Sequence, residues 1–463
     1  MALQSAIGIV SELRQIVGDA FVRLDDASLS SYGVDALGKG HPPDVVVLPA
    51  NTAQIASIAR LCNGARVPLV VRGAGTGFTG GAVPTCGGVL LSMERLNRIV
   101  EIDELNLLAV VEPNVINADL QHAVEERGLF YPPDPASLNQ SSIGGNVAEC
   151  AGGPRAFKYG TTKRYVLALE AVLPTGDVIH TGSKAVKNVV GYDLTQLLVG
   201  SEGTLAIITK ITLRLLPKPP ANATMLATFA GIRDAVDAVS ELIRRRVVPA
   251  ALELIDSDAL QAIEANLGGG LVPPGTSAAL IVEVDGTDRG VQEDLDRVIE
   301  ACRSVGTKDI TRARDEAERD RIWSLRRQTS VALKATGLIK INHDVVVPKG
   351  RVPELFDVIA EMKQAYTLRV ASFGHAGDGN IHVNLLITPG DADEAARAKA
   401  AERFLFTRVV ALEGSISGEH GIGFAKAGYL SIELSADEIA LMKRVKAAFD
   451  PNGILNPGKI FPP

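Results

Sequence analysis

The chain has 463 residues, a net charge of −7, 46% hydrophobic and 22% charged residues, and only 4% aromatics. That length accommodates two or three domains, and the balance is that of a globular protein whose core is built from Ala, Val, Leu and Ile. The acidic excess argues against a nucleic-acid partner or a membrane surface, and no apolar run approaches the roughly 20 residues of a membrane span.

The first residues, MALQSAIGIVSELRQIVGDAF, carry apolar side chains at helical spacing, interrupted by Glu12 and Arg14. They have neither a basic lead nor a continuous apolar stretch, so they read as a surface helix of a cytoplasmic protein and not as a secretory signal. Residues 1–220 then place short Val/Ile/Leu runs (44–49, 67–72, 107–112, 167–174, 205–215) between helical patterns (52–63, 117–127). Such runs, bounded by Gly, Pro and Asp, predict buried strands. Thr52 stands where a helix N-cap is wanted. The prolines of LPKPPA (216–221) cannot continue a helix or a central strand and mark a linker. Residues 221–425 alternate strands and helices, which predicts a separate α+β domain. Residues 426–463 hold a helix (436–449) and a Pro/Gly-rich tail. The cysteines, Cys62, Cys86, Cys150 and Cys302, are far apart with no C-x-x-C pair. They cannot hold an iron–sulfur cluster or a zinc ribbon, and a disulfide framework is not expected in a cytosolic protein of this size.

A strand ending at Arg72 runs into GAGTGFTGG (73–81). Glycines here expose successive backbone N–H groups and allow positive φ, the requirements of an anion-binding nest. Residues 75–80 satisfy G-x-G-x-x-G, but that fingerprint needs a helix directly after it. The chain continues AVPTCGG instead, so a Rossmann reading fails, and without Gly-Lys-Ser/Thr a P-loop fails too. What survives is a pyrophosphate cradle without a helix. PPDPAS (132–137), QSSIGGNVA (140–148), GG (152–153), YGTT (159–162) and GSEGT (200–204) add further segments rich in small, hydroxyl and amide side chains. Together they suit a flat polyphosphorylated ligand lying against backbone.

In the second half, FGHAGDGNIHVN (373–384) reads as strand, tight turn, strand. His375 ends one strand and His382 begins the next, and a period of two puts His382 and Asn384 on one face. The loop SGEHGIG (417–423) offers Glu419 and His420. Two histidines and a carboxylate suit a divalent metal (Zn²⁺, Mn²⁺ or Fe²⁺) and leave positions open for substrate. Buried, hydrogen-bonded histidines are the competing account.

The series VVRGAGTGFTGG, PPDPAS, SIGGNVAECAGG, YGTT and GSEGTLAIIT resembles the FAD-binding domain of the vanillyl-alcohol-oxidase superfamily. Within it, the chain is most similar to the FAD-linked D-2-hydroxyacid dehydrogenase group, over essentially its whole length. The resemblance implies an α+β fold: an FAD-binding domain (1–220), an α+β substrate and metal domain (221–425), and a C-terminal helical segment (426–463) that returns to the flavin. Arg72, Gly73, Ala74, Gly75, Thr76 and Gly77 would hold the pyrophosphate. Pro133, Asp134, Ser137, Gly144, Gly145, Asn146, Gly152 and Thr161 would line the flavin cleft. Glu202, Gly203 and Ile208 would sit near the adenine end, with Asn456 on the returning tail. Cys150 departs from the Asn frequent at its place. Thr76 and Phe78 occupy the loop where covalent members usually carry His, so FAD is expected to be non-covalent.

GHAGDGNIHVN and SGEHG match the group's metal motifs, which makes His375, His382 and Glu419 the implied ligands and His420 the implied base. An imidazole suits that task because it titrates near neutral pH. Asn384 joins the catalytic set. Arg326, in a W-x-L-R pattern, would receive the substrate carboxylate, since a guanidinium can fork onto it. The implied activity is oxidation of a D-2-hydroxy acid, of the D-lactate, glycolate or D-2-hydroxyglutarate type, to the 2-keto acid. Electrons would leave to an acceptor protein or a quinone. An FAD oxidase using O₂ and a non-catalytic flavin-binding subunit of a larger complex remain alternatives. Lys340, Asn342 and Asp344 share a strand face. Asn342 stands where the 2-hydroxyglutarate enzymes carry a lysine two residues before the matching Asp, which points to a monocarboxylate.

Overall fold

The computed structural model describes residues 4–270 and 272–462. The chain divides into two compact units: Met1–Ala151, Thr161–Lys218 and Glu419–Pro463 form the first, and Gly152–Gly160 with Pro219–Gly418 form the second. This differs from a division into three consecutive segments. Residues 152–160 group with the later half, and everything from Glu419 onward groups with the first unit.

In the first unit, Val45–Val47, Val89–Ser92 and Leu69–Arg72 lie parallel and adjacent, with Val22–Arg23 antiparallel at the edge. The parallel strands are buried on both faces, which is why they read as continuous apolar runs. Val45, Val47, Leu69, Val89 and Leu91 pack on one side with Ile55 and Ile58 of the helix Thr52–Ala65. Val46 and Leu90 pack on the other beside Leu48. The N-terminal segment is better anchored than a surface helix would be, because Ala6, Ile9, Leu13 and Val17 are buried in the same cluster. The N-cap of Thr52–Ala65 is Asn51, whose side chain accepts from Gln54 N at 3.0 Å. Thr52 instead donates its hydroxyl to Glu170 at 2.7 Å.

A five-stranded antiparallel sheet completes the unit, in the order Ile99–Asp103, Leu108–Val111, Ile207–Arg214, Val166–Val172, Val178–Gly182. The returning tail joins the first sheet: Leu69 N donates to Ile454 O and Asn456 N to Leu69 O, both at 2.8 Å. The expected linker is partly structured, since Leu216–Pro217 pairs with Leu129–Phe130 before the second unit begins. A two-residue edge ladder tolerates the proline that a central strand would reject.

The second unit is built on a seven-stranded antiparallel sheet, in the order Asp309–Arg312, Ala221–Phe229, Ala278–Gly286, Ala251–Asp256, Arg369–His375, Asn380–Ile387, Ile339–Val346. Every residue of Ala251–Asp256 and Asn380–Ile387 is buried. One face packs Leu226, Ile255, Ile281 and Phe373 against the helices Ser257–Leu267 and Glu316–Ala335. Among the described residues no helix is long and apolar enough to cross a membrane.

Candidate functional site

The first unit contains a cleft walled largely by backbone. Gly73, Ala74, Gly75, Thr76 and Gly77 line it, opposite Ser137, Gly144, Gly145 and Asn146, with Glu202, Gly203 and Ile208 completing the wall. The first loop follows directly from the strand Leu69–Arg72, and Gly75 (φ 70°) turns it through a region that side chains other than glycine seldom enter. Asp35 ties the loop down by accepting from Gly80 N at 3.0 Å. Gly144 and Gly145 open the helix Ile143–Glu149, whose N-cap Ser142 accepts from Gly145 N. Asn146 reaches across by donating to Asn117 at 3.1 Å, and Asn117 donates to the carbonyl of Pro133 at 3.1 Å.

Several expected contacts are not among the residues that line this cleft. Arg72 does not line the cleft; its guanidinium donates to the carbonyl of Val34 at 2.8 Å. Pro133 and Asp134 are likewise absent from the lining, though Pro135, Ala136 and Ser137 of the same turn are in it. Thr161 meets Cys150 at 3.4 Å. Cys150 is the left-handed C-cap of its helix (φ 58°), a conformation that Asn enters more readily. Gly152 belongs to the second unit. Asn456 acts through the backbone, donating to Gly81 O at 2.9 Å and Glu202 O at 2.7 Å.

Glu419 and His420 line the same cleft. The loop that bears them is clamped twice. Thr79 donates its hydroxyl to His420 O at 3.0 Å, and the carbonyl of Thr79 accepts from Phe424 N and Ala425 N. Glu202 accepts from Ile422 N at 2.8 Å and Gly423 N at 2.6 Å. Burial pushes the Glu202 carboxyl up, opposed by those two N–H donors and by Lys426 and Lys459. The Phe78 ring lies 5.3 Å from the His420 ring. Glu202 thus both lines the cleft and ties down the His420 loop, and motif reading passed over Phe78, which lines the cleft, and Thr79, which clamps that loop.

In the second unit, a polar stripe crosses one sheet face. Antiparallel register puts Glu253 opposite His375, Phe373 opposite His382, His382 opposite Asp344, and Asn384 opposite Asn342. Period-two alternation therefore sets Glu253, His375, His382, Asp344, Asn342 and Asn384 on a common side. The His375 and His382 rings are edge-to-face with centroids 5.3 Å apart, and both side chains are buried. The helix Glu316–Ala335 crosses above with polar residues one or two turns apart. Arg319 and Trp323 both donate to Glu283, Arg326 donates through Nε to Glu253, and Ser330 accepts from Lys340 at 2.6 Å.

Glu253, which motif reading missed, is fully buried, and its other oxygen lies 2.5 Å from His375 Nδ1. Burial alone would raise its pKa, but His375 and Arg326 hold it down at about 2. The Arg326 guanidinium also sits 4.8 Å from the Phe373 ring. Asn384 is committed at both ends: it donates to Ala371 O and His382 O and accepts from Asn342 at 2.8 Å. Gly418, the last residue of this unit, donates its N–H to Asp344, which fixes the point from which the chain continues to Glu419.

The signature of FAD-linked oxidases, C-terminal domain, matches residues 218–460, and that of an FAD binding domain matches residues 43–182. The chain is 41% identical to the glycolate oxidase subunit GlcD of Bacillus subtilis over 98% of this chain and 96% of that one. It is 36% identical to a D-lactate dehydrogenase of Anaerostipes hadrus over 90% of this chain and 89% of that one. Among solved structures, 4-ethylphenol oxidase from Gulosibacter chungangensis superposes with a TM-score of 0.80 at 20% identity, covering 100% of this chain and 99% of that one. p-Cresol methylhydroxylase gives 0.79 at 19%, covering 98% and 97%. These two likenesses establish the fold.

Proposed function

The chain belongs to the FAD-linked oxidase family, and on that basis we propose that it oxidises a small D-2-hydroxy acid to the 2-keto acid, with FAD held non-covalently in the cleft of the first unit. The observation that carries this reading is that the glycine-lined cleft and the His420 loop form one wall, clamped together by Thr79 and Glu202. Bare backbone along Gly73–Gly77 and Gly144–Gly145 fits a pyrophosphate and a flat ring system better than side chains would. FAD, when bound, supplies the acceptor for the hydride leaving C2.

The donor set also fits a divalent metal. His375 engages Glu253 through Nδ1, so Nε2 is its ligand atom in this reading, and His382 stands beside it. Glu419 follows Gly418 directly and is the third ligand in this reading. The metal supplies Lewis acidity toward the substrate hydroxyl and carboxylate oxygens. Arg326, with Nε taken by Glu253, offers its Nη pair to the carboxylate. His420 takes the hydroxyl proton, its ring held by Phe78 and its backbone by Thr79.

Asn342 spends its amide N–H on Asn384 and brings no charge to the sheet face, which favours a monocarboxylate such as D-lactate or glycolate. The final acceptor in this reading is a partner protein or a quinone, and the protein works in the cytoplasm. A panel of D- and L-2-hydroxy acids with an artificial electron acceptor tests the assignment. Turnover confined to D-acids and glycolate supports it, and turnover of none of them refutes it.

A further inference from the structure

We propose that Glu253 is a positioning residue that couples carboxylate recognition to metal retention by holding Arg326 and His375 from a single buried carboxylate. The inference rests on the reading just given, in which His375 is a metal ligand and Arg326 receives the substrate. Its observational basis is independent of any motif. Ala251–Asp256 is a strand buried along its whole length, and Glu253 lies in its middle with no exposed surface. A carboxylate removed from water this completely is tolerated only when its oxygens are paired. Here one oxygen takes His375 Nδ1 at 2.5 Å and the other takes Arg326 Nε.

Each contact decides what the partner can do. A carboxylate on Nδ1 selects the tautomer with the proton there, and in that tautomer the lone pair that can bind a metal is on Nε2. A carboxylate on Nε leaves the end-on Nη pair as the fork that remains for a substrate carboxylate. The antiparallel register that sets Glu253 opposite His375 and the helix that carries Arg326 over the same face fix both contacts. Glu253 touches neither substrate nor FAD in this scheme and acts only through its two partners.

The test uses the full-length FAD-loaded protein and Zn²⁺ as the probe, titrated against a competing chelator. Glu253→Gln keeps the shape but can accept from only one of the two donors. The expected result is a Kd for Zn²⁺ weakened roughly 10–100-fold, a raised KM for D-lactate beyond the change in kcat, and an unchanged ratio of FAD to protein. A merely structural role would lower Tm and leave the Zn²⁺ affinity of the folded fraction alone; that outcome overturns the proposal. Should Glu253→Gln not fold, ¹⁵N-histidine spectra of the metal-free wild type decide: a His375 tautomer protonated on Nδ1 supports the proposal, and one protonated on Nε2 overturns it. Wild-type Zn²⁺ binding that is untouched by His382→Ala refutes the metal reading itself, a result distinct from wild-type-like affinity in Glu253→Gln.

Discussion

Thr79 and His420 are joined by one hydrogen bond, from the threonine hydroxyl to the histidine's backbone carbonyl at 3.0 Å. Glu202 secures the next turn of the same loop through Ile422 N and Gly423 N. Replacing Glu202 by Ala strands both donors, and a buried donor left without an acceptor costs about 1–3 kcal/mol. Thermal unfolding of the FAD-loaded Glu202→Ala variant is therefore expected at a clearly lower Tm, with a smaller loss in Glu202→Gln. Equal Tm values in all three proteins would show that the clamp contributes nothing.

His382 and His420 should separate metal from base. His382→Ala is expected to abolish turnover and lose bound metal while the flavin spectrum persists, because the cleft proposed for FAD belongs to the first unit and His382 to the second. His420→Ala is expected to retain both metal and FAD and to lower kcat about 10²–10⁴-fold, the usual contribution of a general base. Elemental analysis beside steady-state kinetics reads both. A loss below about tenfold in His420→Ala removes it from that role.

Lys340 tests substrate size. Its ammonium donates to Ser330, and burial, with Lys334 and Arg326 nearby, holds its pKa at about 8. The account expects kcat/KM to favour D-lactate over D-2-hydroxyglutarate in the wild type, with that preference kept in Lys340→Ala. A wild-type preference for D-2-hydroxyglutarate that collapses in the variant would assign Lys340 to a second carboxylate.

Asp256 makes stability depend on pH. It caps the helix Ser257–Leu267, accepting from Ala259 N and Ser372 N, yet burial pushes its carboxyl up to about 7. A folded-state pKa above the unfolded one gives stability that is full below the unfolded value, near pH 4, and lost as pH rises through about 7. The swing is on the order of 4 kcal/mol at most. Asp256→Asn removes the titration, so the Tm difference between about pH 5 and about pH 8 should shrink. An unchanged difference would assign the dependence elsewhere.

What the sequence disclosed was whatever repeats at short range. The strand pair Arg369–His375 and Asn380–Ile387 was legible because turn residues separate two apolar runs and a period of two sets the faces. That the glycine loop does not open a helix was legible because the residues after it cannot form one, and Gly73–Gly77 line the cleft. Glu253 was not, since its partners are distant in sequence and only the sheet register aligns it with His375. Its single signal was an acid in the middle of the apolar run ALELI, where a charge demands a partner. Asn51 and Thr52 are both good caps, and propensity cannot choose between neighbours when Glu170 claims one of them. The reach of Arg72 to the carbonyl of Val34 was not legible either, because that contact is tertiary.

The most direct test of the central claim is anaerobic mixing of the FAD-loaded protein with single 2-hydroxy acids, read as loss of the oxidised flavin absorption band. The account predicts that D-lactate or glycolate reduces the bound flavin, that L-lactate leaves it oxidised, and that His420→Ala slows the reduction. Flavin that is bound yet stays oxidised with every D-2-hydroxy acid offered would contradict it.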